Sequence, residues 1–209
     1  MNGRWSLAAT LLTLLVLGAA GCRGPDGTFE ARAVSKPVVL ELPPAALPPV
    51  TRAVTYEVRT NGTVHSDPAA FAAVTAATFA DGRGWRASGI ELRQVDAGGD
   101  FTLWLSAAAL VPGFDRNGGC DPNYSCRVGR DVVINDDRFT GGSPTWPGSI
   151  DDYRAMVVNH EVGHFLGLDH VGCPAPGGPA PLMMQQSKSL DGCTPNAWPT
   201  VGEREVVAG

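Results

Sequence analysis

His160-Glu161-Val162-Gly163-His164-Phe165-Leu166-Gly167-Leu168-Asp169-His170 is the stretch on which the reading of the fold turns. Three of the chain's four histidines fall inside it. His160 and His164 are four residues apart, so a helix stacks them on one face, one turn from each other. Their imidazoles can then reach one metal ion. Glu161 lies about 100° further round the helix, close enough to touch a water at that metal without being a ligand. Gly167 can adopt backbone conformations closed to other residues, so it can end the helix and turn the chain. The turn would bring His170 back as a third ligand. Asp169 is the substitute if the turn runs differently, but His170 has the motif offset. Three nitrogen ligands with one open position is the arrangement of a catalytic zinc, whereas a structural zinc is closed by four protein ligands. One zinc ion per chain is therefore expected.

The five-residue core H-E-x-x-H can arise by chance on a solvated helix. Three His, one Glu and one Gly at fixed offsets form a far more specific pattern. The flanks agree with a helix: Asp151-Asp152 can cap or charge its start. Tyr153, Met156, Val157, Phe165 and Leu166 supply apolar positions near helical spacing. Tyr153 is a candidate oxyanion stabiliser, although its place before the motif favours core packing.

The pattern H-E-x-x-H-x-x-G-x-x-H resembles the zinc signature of the metzincin metalloproteases. The resemblance implies an α+β, zincin-like fold: a twisted mixed sheet, an active-site helix and a short irregular C-terminal lobe. It also implies a methionine turn beneath the metal. Pro181-Leu182-Met183-Met184-Gln185-Gln186 is the candidate, with a slight preference for Met184 over Met183. A second likeness covers about residues 50–200. Val157-Val158-Asn159-His160-Glu161-Val162-Gly163-His164, the Met183-Met184 segment, the paired downstream cysteines and Asn196-Ala197-Trp198-Pro199 resemble an actinobacterial secreted zincin-like family. That family is known mainly as a domain of unknown function, so the likeness brings no substrate. In metzincins the substrate lies along an edge strand; Phe101–Leu105 and Asp131–Asn135 are the candidates.

Residues 1–21 read as a secretory signal: Arg4 gives a positive start, Leu7 to Leu17 is uncharged and apolar, and small residues follow. The apolar run is too short for a comfortable membrane span. Ala19-Ala20-Gly21-Cys22 resembles a bacterial lipobox, in which Cys22 is lipidated. Five cysteines leave one odd, and a Cys set aside for a lipid accounts for it. Residues 22–49, with Leu42-Pro43-Pro44-Ala45-Ala46-Leu47-Pro48-Pro49, read as a semi-rigid tether to the membrane. The domain is expected over residues 50–209. Localisation is expected outside the cell membrane, as a lipoprotein or secreted.

Within the domain, strands are expected at Val54–Arg59, Ile90–Val95, Phe101–Leu105 and Asp131–Asn135. Asn61-Gly62 signals a turn. A helix begins with Asp67 as cap and Pro68 at its first position, runs through Phe71, Val74 and Phe79, and stops at Asp81-Gly82-Arg83-Gly84. Trp85 and Trp104 are expected in the core. Asp115–Asp121 is a polar loop that lacks the spacing and closing Glu of a calcium loop. His65 is expected at the surface. Four cysteines allow three pairings; local spacing favours Cys120–Cys126 and Cys173–Cys193, and export permits both.

A net charge of −5 gives no reason to expect nucleic acid as a partner. The expected function is a zinc endopeptidase acting on a peptide or protein, with Glu161 as general base, in a monomer. Two alternatives stand beside it: a zinc-stabilised cell-envelope binding module without catalysis, and a hydrolase of cell-wall peptides. Retention of Glu161 speaks against the first, because metal binding alone needs no general base.

Overall fold

In the computed structural model, residues 46–209 are described. Signal segment 1–21, Cys22 and most of the tether 22–49 lie outside them. The first strand, β1 (Arg52–Asn61), is the organising strand of a five-stranded mixed sheet. It pairs in parallel with β2 (Ile90–Gln94) on one side and with β3 (Phe101–Ser106) on the other. β3 pairs in parallel with β5 (Asp131–Asn135), and β5 pairs antiparallel with β4 (Cys126–Val128). The order is β2-β1-β3-β5-β4, with β4 at an edge.

Helix α1 (Pro68–Ala80) joins β1 to β2 and begins as expected, with the Asp67 side chain accepting from Ala69 N. The link from β2 to β3 crosses β1 in only six residues, 95–100. Val95 N donates to Tyr56 O and Asp100 N to Thr55 O. The crossing needs glycine, since a Cβ at Gly99 would sit 2.8 Å from Tyr56 Cα.

Both candidate edge strands are interior, and that corrects one expectation. β3 and β5 each have neighbours on both sides, so neither is a substrate-binding edge. The sheet's edges are β2 and, beside β5, β4, a three-residue strand too short to announce itself by alternation. A tight turn at Gly129-Arg130 joins it to β5, with Gly129 at φ 56°. β5 is buried on both faces. Val132 and Ile134 enter the main core, and Val133 meets Val111, Cys120 and Cys126 on the other side.

The main core lies between the sheet and helices α1 and α3 (Ile150–Phe165). Phe101, Leu103 and Leu105 have no exposed surface; burying each such side chain stabilises by about 1.5–3 kcal/mol. Trp85 is fully buried and its Nε1 donates to Asn159 O on α3 at 3.2 Å. Trp104 is only half-buried, because it sits on the face covered by the 108–126 segment, where its Nε1 donates to Asp131. His65 is exposed, as expected.

Two helices have no counterpart in the sequence reading. Helix α2 (Asp136–Gly141) follows β5 directly, capped by Asn135. Helix α4 (Val201–Ala208) closes the chain, so the C-terminal part is irregular only up to residue 200. Cys120–Cys126 and Cys173–Cys193 form the two disulfides, which points to an oxidising compartment. Among the described residues no helix is long and apolar enough to cross a membrane.

Candidate metal centre

Helix α3 carries the first two histidines. It is capped by Ser149, whose Oγ accepts from Asp152 N at 3.0 Å, while Asp151 and Asp152 occupy the first turn. The acidic pair therefore complements the helix dipole and the serine supplies the cap. At the other end the helix stops at Phe165 and Gly167 takes φ 101°. Leu168 N donates to Gly163 O and Gly167 N to His164 O, the paired bonds of a Schellman motif. This turn reverses the chain and delivers His170.

The three imidazoles converge. His170 Nε2 lies 3.3 Å from His160 Nε2 and 2.9 Å from His164 Nε2. A tetrahedral metal with nitrogen ligands at about 2.0–2.1 Å holds those atoms roughly 3.3 Å apart, so the spacing fits one ion. The proton positions also fit. His160 Nδ1 donates to Leu182 O and His164 Nδ1 to Leu168 O, each at 2.8 Å. A carbonyl can only accept, so Nδ1 carries the hydrogen in both rings and each Nε2 presents a lone pair. Burial lowers all three imidazole pKa values, that of His160 to about 3, and favours the neutral, ligating form. His160, His164 and His170 can hold a metal ion.

Glu161 is 5% exposed. Burial pushes its carboxyl up to about 8, and the Arg127 charge pulls the other way. It lines the same cavity of about 430 Å³ as the three histidines. Edge strand β4 and the preceding loop, with Tyr124 and Arg127, form one wall. Gln185, Gln186, Ser187 and Lys188 also line it. Arg127 Nη2 donates to His164 O at 2.7 Å, which ties β4 to the end of α3. Asp169 lines the cavity but is absent from the converging trio.

The Met183-Met184 turn passes beneath α3. Met183 is the residue against the helix: a Cβ on Gly163 would collide with its Sδ and would lie 3.1 Å from Trp85 Cζ2. Met184 points elsewhere, into a small cluster with Ala180 and the Cys173–Cys193 bridge. Of the two methionines, Met183 therefore packs against α3, whereas the sequence preference is for Met184 as the methionine of the turn. Tyr153 is fully buried, packs edge-on to Trp146, and shares a 2.9 Å hydrogen bond with Ser187 Oγ. It buttresses the wall of the cavity from behind. Gln186 is buried and exchanges hydrogen bonds with Asn196 in both directions, its Nε2 donating to Asn196 O and its Oε1 accepting from Asn196 N.

Arg127, Tyr124 and Lys188 carry no motif, and only the fold brings them to the histidines. The last helix did leave a trace in the sequence: Thr200-Val201-Gly202-Glu203 has the T-x-x-E form of a capping box, and that box is formed.

A family model described as a protein of unknown function (DUF3152) matches residues 38–199, and the chain belongs to that family. No curated protein matches the chain.

Proposed function

We propose that this member of the DUF3152 family is an exported zinc-dependent endopeptidase of zincin, metzincin-like architecture. The observation that carries the proposal is the convergence of three neutral imidazoles on one point that faces an open cavity, with Glu161 beside them. Zinc, when bound at such a site, lowers the pKa of a water to about 7 and polarises a carbonyl. Glu161 accepts a proton from the attacking water and passes it to the leaving amine. Burial raises the Glu161 pKa, which suits the carboxyl to hold and return a proton, and the charge of a bound cation would favour the ionised form that first takes it. The substrate peptide would lie along β4, the edge strand that borders the cavity. Met183 would pack under the metal without ligating it. Lipidation at Cys22 would hold the domain at the outer face of the cell membrane.

Zinc content and cleavage of a peptide library, measured on the purified protein beside Glu161→Gln, test the reading. One zinc per chain in both forms is expected, with hydrolysis reduced at least 100-fold in the variant, about the share a positioned general base supplies. Zinc in both forms with cleavage by neither would favour the non-catalytic envelope module. Cleavage of cell-wall stem peptides alone would favour the cell-wall hydrolase. Absence of zinc from the unmodified protein would sink the central argument.

A further inference from the structure

The side chain of Glu203 leaves its own helix and reaches the turn beneath the histidines. Its Oε1 accepts from Met183 N at 2.7 Å. Its Oε2 accepts from Leu182 N at 3.1 Å, Thr200 N at 2.7 Å and Thr200 Oγ1 at 2.8 Å. Four donors on one carboxylate is more than a helix cap requires. A capping box needs only the bond back to the N-cap amide. The other two amides belong to the turn, and one of them is on the residue whose carbonyl orients His160: Leu182 O takes the His160 Nδ1 hydrogen at 2.8 Å. A continuous path of hydrogen bonds therefore runs from Glu203 through the Leu182 and Met183 backbone to the imidazole of His160.

We propose that Glu203 is a positioning residue of the metal centre, which fixes the Leu182-Met183 turn and through it the tautomer and direction of His160. Groups that hold a ligating histidine's second nitrogen typically change metal affinity by about 10–100-fold when removed. Glu203 is placed one bond further out, and its loss removes acceptors from two turn amides at once. Helix α4 thereby belongs to the site although it lies beyond residues 38–199, the part of the chain the family match covers. Its own packing is thin: none of its residues is buried. The Glu203 bonds to the turn, together with Val207 packed against the main core, tie α4 to the domain.

The inference rests on reading the three imidazoles as metal ligands, and the test separates the two. The full chain is loaded with Co²⁺ or Zn²⁺, and metal release to a chromogenic chelator is timed in three forms: unmodified, Glu203→Gln and Thr200→Ala. The glutamine keeps one acceptor oxygen and turns an amide NH₂ towards a backbone donor, so one of the two turn amides, Met183 N or Leu182 N, loses its acceptor. Thr200→Ala removes the Oγ1 bonds and leaves both turn amides satisfied. Release about tenfold faster in Glu203→Gln, a changed Co²⁺ visible spectrum, and release within twofold of the unmodified protein in Thr200→Ala would support the proposal. Unchanged release and spectrum in folded Glu203→Gln would overturn it. Equal acceleration in both variants would also overturn it, since helix capping alone would then be the role. If Glu203→Gln fails to fold, Glu203→Asp, which keeps two acceptor oxygens on a shorter arm, is read in the same way against Thr200→Ala. Failure of the unmodified chain to take up either metal would instead refute the ligand reading itself.

Discussion

Helix α3 and the segment from Val171 to Thr200 meet at the same three histidines, yet they are built in opposite ways. The helix places His160 and His164 by its own period, with a serine cap at one end and a glycine turn at the other. Every one of those bonds spans a few residues. The later segment has almost no regular structure. It is held by the Cys173–Cys193 bridge, by a single β-bridge between Pro179 and Thr194, and by side chains that reach backbone groups far along the chain. Gln186, Asn196 and Glu203 are the main ones. Local order thus brings the histidines together, and long-range polar bonds hold the segment whose Leu182 carbonyl meets His160.

The largest effect that tests this contrast is removal of the bridge. Cys173→Ser with Cys193→Ser opens a loop of sequence separation 20, which in the chain-entropy account lowers stability by about 3 kcal/mol. Hydrogen exchange should rise across residues 171–200 while the amides of α3 keep their protection, because the helix does not depend on the bridge for its own bonds. Equal loss of protection in both regions would mean that they unfold as one unit and that the contrast is only geometric. Visible release of the lobe with α3 intact would sharpen it.

The same contrast explains what was legible in the sequence. The histidine trio was, because a helix period and one glycine turn fix it from within eleven residues. Strands β1, β2, β3 and β5 were readable from β-rich runs, and α1 from Asp67-Pro68. The disulfide pairing followed from spacing. Edge strand β4 was not readable, since three residues cannot establish a period, and its position came only with the parallel order of its neighbours. The six-residue passage of Gly98-Gly99 over β1 also has no sequence signature beyond the glycines. The choice between Met183 and Met184 depended on which one faces Gly163, a tertiary matter. Trp104 looked like a core residue because aromatics dominate cores, but its strand faces the thinner cover on that side.

A smaller effect sets helix propensity against packing at one position. Gly163 sits in the last part of α3, where alanine would favour the helix by about 1 kcal/mol. The same methyl would collide with Met183 Sδ and crowd Trp85, and overpacking of this kind costs about 1–3 kcal/mol. Packing is expected to win, so Gly163→Ala should destabilise the protein by about 1 kcal/mol on balance, read as a lower midpoint in urea. In a Met183→Ala background, itself destabilised by the lost burial, the Gly163→Ala change should cost less, a coupling that a double-mutant cycle isolates. A raised midpoint in Gly163→Ala alone would show that the helix answers to its own propensity even where the turn presses on it.

The smallest effect concerns Tyr153, which belongs to the helix by sequence and to the cavity wall by contact. Its hydroxyl meets Ser187 Oγ at 2.9 Å, and burial raises its pKa, so it stays protonated and can donate. Tyr153→Phe keeps the ring against Trp146 and removes one hydrogen bond, at a cost of about 1 kcal/mol. If the tyrosine only buttresses the wall, the loss appears in the unfolding midpoint, and any change in peptide turnover is a modest rise in KM from a looser Gln185–Lys188 wall. Peptide turnover at saturating substrate slowed by about two orders of magnitude, the share of a group acting in the transition state, with stability unchanged, would instead make Tyr153 a group that touches the reacting atoms. The burial of the hydroxyl behind Ser187 argues for the first outcome, because a donor already engaged with a wall residue must break that bond before it can reach a developing oxyanion.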